Sequence, residues 1–223
     1  MPEPFRVAAS TVFVDLLETF AHEEPLEMVL RAGATSVLRH QIEAGLDVDL
    51  FVSADFDDAA AIARIHRFRA GAVRFASNRV VLAVRADSPI RSLPTSPEAW
   101  TTLLLRIAIG RPESTASGRA ARAALMRSGA WKPLGGNLVF SGTVRQALAL
   151  ASTGDADAAI VFQTDVIASG GKTRVVCPLP NCPAVPAGYV LLTPDSPDGR
   201  TWSRALSSRR FRALLQRQGF GKP

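Results

Sequence analysis

The sequence predicts an α/β fold built largely on parallel strands, and three observations point there. Short apolar runs alternate along the chain with stretches of helical periodicity, the order expected when parallel strands are joined by crossover helices. The junctions between them are rich in Ser, Thr, Gly, Asp and Asn, residues that end strands and start helices. The chain has 223 residues, 47% of them hydrophobic, which supplies a packed core and fits one large domain or two small ones at roughly 100–200 residues each. That composition excludes wholesale disorder.

The elements follow in order. Residues 5–9 read as a strand and 12–22 as a helix. A second strand is expected over 26–31, then a loop over 32–35 and a helix over 36–44. Residues 49–53 form a third strand, with a helix around 57–65. The run RVVLAVR at 79–85 is rich in β-formers and bounded by Asn78 and by Asp87-Ser88-Pro89. Residues 106–109 read as a strand entering GRPESTASG, with a helix over 119–128. Residues 138–140 lead through Ser141-Gly142-Thr143 into a helix over 144–152. A strand over 158–162 runs into Gln163-Thr164-Asp165, another spans 189–192, and one helix over 202–218 closes the chain. No repeat of solenoid length and no low-complexity tract is present.

Charge and cysteine content narrow the class further. The net charge is +6, with Lys132, Lys172 and Lys222 the only lysines. Such a balance suits nucleic acid, a membrane face or a small anion. The arginines are dispersed except for Arg204, Arg209, Arg210, Arg212 and Arg217, which read as the solvated face of the last helix; no nucleic-acid partner is expected. The one uncharged stretch of membrane-spanning length, 175–194, carries Pro178, Pro180, Pro183, Pro186 and Pro194, which a spanning helix does not accommodate. A soluble chain is expected. Its start, MPEPFRVAAS, has neither the basic nor the apolar region of a signal peptide, leaving a cytoplasmic protein or one whose leader has been removed. Cys177 and Cys182 sit in a proline-rich loop, CPLPNC, either as a small disulfide or as two free thiols. With no histidine beside them zinc is not expected.

Enzyme constellations are missing. His22, His40 and His66 fall on predicted helices and share no ligand spacing. There is no GxSxG elbow, no P-loop and no GxGxxG, and Asp47 and Asp49 have no partner acid. What does recur is a strand that hands over to a helix through small hydroxyl residues: Ser10-Thr11, Thr35-Ser36, Ser114-Thr115-Ala116-Ser117-Gly118 and Ser141-Gly142-Thr143-Val144. Any one of these is explained by helix capping. Together, at the carboxyl edge of a parallel sheet, they gather unpaired backbone N–H groups and partial positive charge, which is an anion site. Gly118 and Gly142 would let backbone approach a ligand closely. A fully ionised tetrahedral oxyanion offers only acceptors and is satisfied by donors alone. Hydrogen phosphate also needs an acceptor, and no carboxylate stands in these junctions.

Six blocks of the sequence carry a resemblance to a known family. They are VAAS before a helix, TSVLRHQIEAGLDVDLFVSAD, NRVVLAV, IAIGRPESTASGRAARAALMRSGAW, TVRQALALASTGDADAAIVFQTD and FRALLQRQGFGKP. In this order, over nearly the whole chain, they resemble the periplasmic molybdate-binding proteins of ABC transporters. The resemblance implies a type II periplasmic-binding-protein fold: two α/β lobes, each a mostly parallel sheet flanked by helices, joined by two crossover strands near 79–85 and 189–192. It implies a discontinuous first lobe, residues 1–80 with 190–223, and a second lobe, 81–189, with the ligand cleft between them. It further implies no enzymatic activity, no cofactor, a periplasmic location, a monomer, and delivery of molybdate or tungstate to a membrane permease.

Transferred residue by residue, the resemblance assigns Ser10 and Thr35 as hydroxyl donors, Thr35 replacing the family's serine. Ser117 stands where the family usually has an alanine that donates its backbone N–H, and Val144 matches a second backbone donor just before Arg145, itself expected to be structural or lobe-bridging. Phe162 stands where many members have a tyrosine whose hydroxyl reaches the anion. Losing that donor costs about 1.5–3 kcal/mol unless another group replaces it. The Ser117 hydroxyl, Thr143 and Gln163 are the candidates for that replacement, and Ser36 either assists or caps its helix. Phe162 also leaves open a different oxyanion or a small organic anion, and the missing leader leaves open a cytoplasmic anion-sensing module.

Overall fold

Ten strands and eight α-helices follow one another along the chain in a computed structural model that describes residues 4–24, 26–65, 71–94 and 96–223, without the side chain of Glu98. The first half contains β1 (Arg6–Ser10), α1 (Val14–Glu23), β2 (Val29–Gly33), α2 (Thr35–Glu43), β3 (Leu50–Ser53), α3 (Phe56–Ala63), β4 (Val73–Asn78), β5 (Val80–Arg85) and β6 (Ile107–Gly110). Then come α4 (Ala116–Arg127), β7 (Leu138–Ser141), α5 (Val144–Thr153), β8 (Ala158–Phe162), α6 (Gln163–Ala168), β9 (Thr173–Pro178), β10 (Val185–Leu191), α7 (Pro197–Leu206) and α8 (Arg209–Arg217). They fold into two units, Met1–Ser77 with Pro186–Pro223, and Asn78–Val185.

The first unit is a five-stranded sheet in the order β2-β1-β3-β10-β4. β1 lies parallel to β2 and to β3, and β10 runs antiparallel to β3. β1 and β3 are buried along almost their whole length, as continuous apolar runs should be when both faces of the sheet are covered. On one face Leu38 and Ile42 of α2 and Ala59 and Ile62 of α3 pack with Ala8, Phe51 and Val190. Elsewhere in the unit, aromatic pairs fasten α1, α7 and α8: Phe5 stacks on Trp202 at 5.2 Å, Phe13 on Phe220 at 5.0 Å, and Phe20 meets Phe211 at 4.9 Å. Each such pair adds about 0.5–1.5 kcal/mol to the area it buries.

The second unit repeats the plan in the order β7-β6-β8-β5-β9. β6 is parallel to β7 and β8, while β5 is antiparallel to β8 and β9. Each sheet is therefore mixed, with three mutually parallel strands whose carboxyl ends feed helices.

Several sequence expectations are corrected. The closing helix over 202–218 is two helices, because Ser208 breaks the run and its side chain accepts from the Phe211 N–H at 3.0 Å, capping α8. α4 starts at Ala116 rather than 119, since the Thr115 hydroxyl accepts from Gly118 N–H at 3.1 Å and fixes the helix start there. The small residues Ala116, Ser117 and Gly118 are thus buried helix and not loop. The second strand lies later, at Val29–Gly33, and β4, β9 and α6 were not anticipated. Cys177 falls inside β9 rather than in a loop, and both cysteines are free thiols. His66 lies outside the described residues.

Candidate anion-binding residues

In the first unit β1 and β2 end together: Ser10 is the register partner of Gly33. Two residues on, α2 begins at Thr35 behind an N-cap, Ala34, that has no side-chain acceptor. The first helical amide to find a backbone partner is Leu38, which donates to the Ala34 carbonyl at 3.0 Å. The N–H groups of Thr35, Ser36 and Val37 consequently have no partner within the helix. Ser10 and Thr35 are 5% and 1% exposed. Ser10 leads into a 3-10 turn, Thr11–Phe13, without capping it. Among the described residues no hydrogen bond engages either hydroxyl.

Ser36 behaves differently. Its hydroxyl donates to the Asp58 carboxylate at 3.3 Å, and Arg39 pairs with the other Asp58 oxygen at 3.2 Å. This buried carboxylate was not anticipated, because Asp58 lies 22 residues from Ser36 in a stretch that reads as solvated helix. Both its oxygens are engaged, so it is no free acceptor for a protonated anion.

In the second unit Gly110 of β6 is level with Ser141 of β7. Ile109 is level with Ile160, so Phe162 at the end of β8 emerges at the same edge. Two helices of adequate length start there. α5 is opened by a capping box in which Thr143 accepts from Gln146 N–H at 3.2 Å and Gln146 accepts from Thr143 N–H at 3.1 Å. Val144 is its first residue, and its N–H is one of the amides a helix start leaves unpaired. α4 presents Ala116 and Ser117 in the same way, and the Ser117 hydroxyl is fully buried with no hydrogen-bond partner among the described residues.

The remaining candidates are placed as follows. Phe162, 1% exposed, precedes the short α6 and offers no donor from its side chain. Gln163 spends its backbone N–H on the Arg79 carbonyl at 2.9 Å. Arg145 stands 3.9 Å from buried Asp165, an ion pair inside the second unit. Gly118 is not there for a ligand: a Cβ would run into the Gly110 carbonyl and the Thr115 hydroxyl, so it serves the close approach of α4 to β6. Gly142 has only the flexible end of Gln146 at 3.0 Å from such a Cβ and is free of that constraint. A further pair was invisible in the sequence: Asn78 donates through its side chain to the Thr164 hydroxyl at 2.7 Å, both buried.

Among the described residues no group of three or more His, Cys, Asp or Glu is placed to hold a metal ion, and no helix is long and apolar enough to cross a membrane. A cavity of about 260 Å³ in the first unit is lined by Phe75, Tyr189, Phe211 and Phe220 and touches none of the candidate residues.

Comparisons with known proteins bear on the fold and the family. The molybdate-binding protein ModA of Escherichia coli is 34% identical over 170 residues, covering 74% of this chain and 66% of that protein. The chain thus spans just under two thirds of that relative's length. The structure of the periplasmic molybdate-binding protein of Azotobacter vinelandii superposes with a TM-score of 0.78 at 19% identity, covering 98% of this chain and 99% of that one. The sulfate-binding protein SubI of Mycobacterium tuberculosis reaches 0.74 at 16% identity, covering 97% and 85%. At such identities the two structures establish the fold and not the solute. The family model of bacterial extracellular solute-binding proteins matches residues 6–221. These matches are to solute-binding proteins and are consistent with a non-enzyme. By the extent of that match, the chain belongs to the bacterial extracellular solute-binding protein family.

Proposed function

We propose that this protein captures a fully ionised tetrahedral oxyanion, molybdate or tungstate, outside the cytoplasmic membrane and delivers it to an ABC-transporter permease. The reading is supported most by one observation: among the described residues the Ser10, Thr35 and Ser117 hydroxyls have no hydrogen-bond partner, and the Asp58 carboxylate beside Thr35 is engaged by Ser36 and Arg39. Burying a dianion is tolerable only if its oxygens are hydrogen-bonded. Hydroxyls and helix-terminal N–H groups do this without burying a countercharge. In this reading one anion takes donors from both units, Ser10 and Thr35 from the first, Ser117 and Val144 from the second. Binding energy then draws the units together about the two chain passages, at Ser77–Asn78 and Val185–Pro186. The similarity to ModA supports molybdate in particular.

The test is a titration of ligand-stripped protein with sodium molybdate, repeated for Ser10→Ala and Ser117→Ala. A shared site predicts one anion per chain and weaker binding from a change in either unit. Two independent sites, or a loss confined to one unit's variant, would contradict it.

A second reading is favoured by Phe162. Without the tyrosine hydroxyl that many molybdate-binding relatives are expected to carry there, the same residues would hold another oxyanion or a small organic anion. Saturation by such an anion with no response to molybdate would select this reading.

A further inference from the structure

The residues that could replace the donor missing at Phe162 are not equivalent in the structure. The Thr143 hydroxyl is oriented by the α5 capping box, where it accepts from Gln146 N–H, and Thr143 is only half-buried. The Gln163 backbone N–H is bonded to Arg79, and α6 is only six residues long. Ser36 gives its proton to Asp58. Ser117 alone among these candidates carries a buried hydroxyl with no hydrogen-bond partner among the described residues.

The position of that hydroxyl is informative. A serine within a helix usually bonds back to the carbonyl one turn earlier, and a serine at a helix start usually caps it. Ser117 does neither, because capping of α4 belongs to Thr115, whose hydroxyl also donates to the Arg111 carbonyl at 2.9 Å. The side chain is therefore held, fully buried, on the first turn of a 12-residue helix whose first two N–H groups, of Ala116 and Ser117, have no partner within the helix. A buried hydroxyl without a partner destabilises the fold, and an alanine would avoid the cost. Retaining serine makes sense when the missing partner is a bound acceptor.

We infer that the Ser117 hydroxyl is a specificity-determining donor to the bound oxyanion, replacing from the first turn of α4 the hydroxyl that Phe162 lacks at the end of β8. The inference rests on the oxyanion reading above and deepens it. It makes two demands on one residue that a structural serine would not meet together. Ligand affinity depends on the hydroxyl, and ligand-free stability gains nothing from it.

The experiment compares wild type, Ser117→Ala, Phe162→Tyr and the double variant, using calorimetric titration with sodium molybdate and the melting temperature of the ligand-free proteins. Ser117→Ala is expected to bind about tenfold more weakly, the loss of one hydrogen bond to a charged acceptor, with a ligand-free melting temperature equal to or above wild type. Adding Phe162→Tyr to Ser117→Ala is expected to recover most of the affinity. Unchanged affinity in Ser117→Ala, or a fall in its ligand-free melting temperature, would overturn the inference. If wild type responds to sulfate or phosphate and not to molybdate, the ligand reading fails, and the same variants titrated with that anion still decide the role of Ser117. If none of these anions binds, both fall together.

Discussion

Ser10 and Thr35 carry the proposed site at the residue scale. Each is nearly fully buried and sits at the carboxyl end of adjacent parallel strands. In the proposed reading, replacing either by alanine leaves one oxygen of the buried anion without a donor. Ser10→Ala and Thr35→Ala are each expected to weaken molybdate binding by tenfold or more, about 1.5–3 kcal/mol for a charged hydrogen bond. Titration of both variants checks this, and wild-type affinity in the pair would remove them from the site. Phe162→Tyr in the wild-type background should tighten binding if the phenol still reaches the anion, and should leave it unchanged if Ser117 has taken that place completely. At this scale the sequence was informative where the chemistry is local. A hydroxyl immediately after a strand and before a helix can be read from neighbours. The Ser36–Asp58 and Asn78–Thr164 bonds join residues 22 and 86 apart, and only the folded chain brings them together.

Elements pass these positions on to the sheet through close packing. α4 approaches β6 so tightly that Gly118 has no room for a side chain beside Gly110. Gly118→Ala is expected to destabilise the protein by about 1–3 kcal/mol, the usual cost of overpacking, and to weaken anion binding by displacing Ser117; thermal unfolding and titration of the same variant check both. At the other end of β1, Asp49 accepts from the Arg6 backbone N–H at 2.8 Å and side chain at 3.1 Å and from Thr193 at 3.1 Å, tying β1, β3 and the segment after β10. Burial alone would raise the Asp49 pKa, but the Arg6 bonds and charge and the Thr193 bond outweigh it and hold the carboxyl below its ordinary value. Because the folded state favours the ionised form, its contribution is complete above the unfolded carboxyl value, about 3.9. It is lost as pH falls below that. Asp49→Asn should therefore flatten the acid side of the stability profile, measured by urea unfolding between pH 3 and 7. An unchanged slope would remove Asp49 from that role.

Legibility at the element scale followed the same physics. Continuous apolar runs such as 50–53 and 158–162 were readable because a doubly covered strand needs them. β2 is largely exposed and β4 is buried only toward its carboxyl end, so both carry little pattern. β9 was hidden by the prolines around CPLPNC. The α7–α8 break was hidden because an apolar face continues through Trp202, Leu206, Phe211, Leu214 and Leu215, all buried. The arginine-rich face of α8 is partly neutralised: Arg210 and Arg217 pair with Glu23, and Arg210 with Glu24 beyond α1. That is the packing of a solvated helix.

For the whole molecule, ligand and stability are linked. An anion that binds only the folded chain stabilises it by about 2.7 kcal/mol at a hundredfold excess over Kd. The melting temperature should therefore rise with molybdate concentration and stay fixed with a non-binding anion. The same linkage makes the variants comparable, because a donor lost from either unit should reduce the ligand-induced rise.

The measurement that tests the central claim most directly is calorimetry of ligand-stripped wild-type protein with molybdate, tungstate, sulfate and phosphate in turn. The proposed donor-only site predicts tight binding of the first two, one per chain, and no saturating heat from phosphate, whose proton needs an acceptor. Tight phosphate binding with silence from molybdate and tungstate would contradict it.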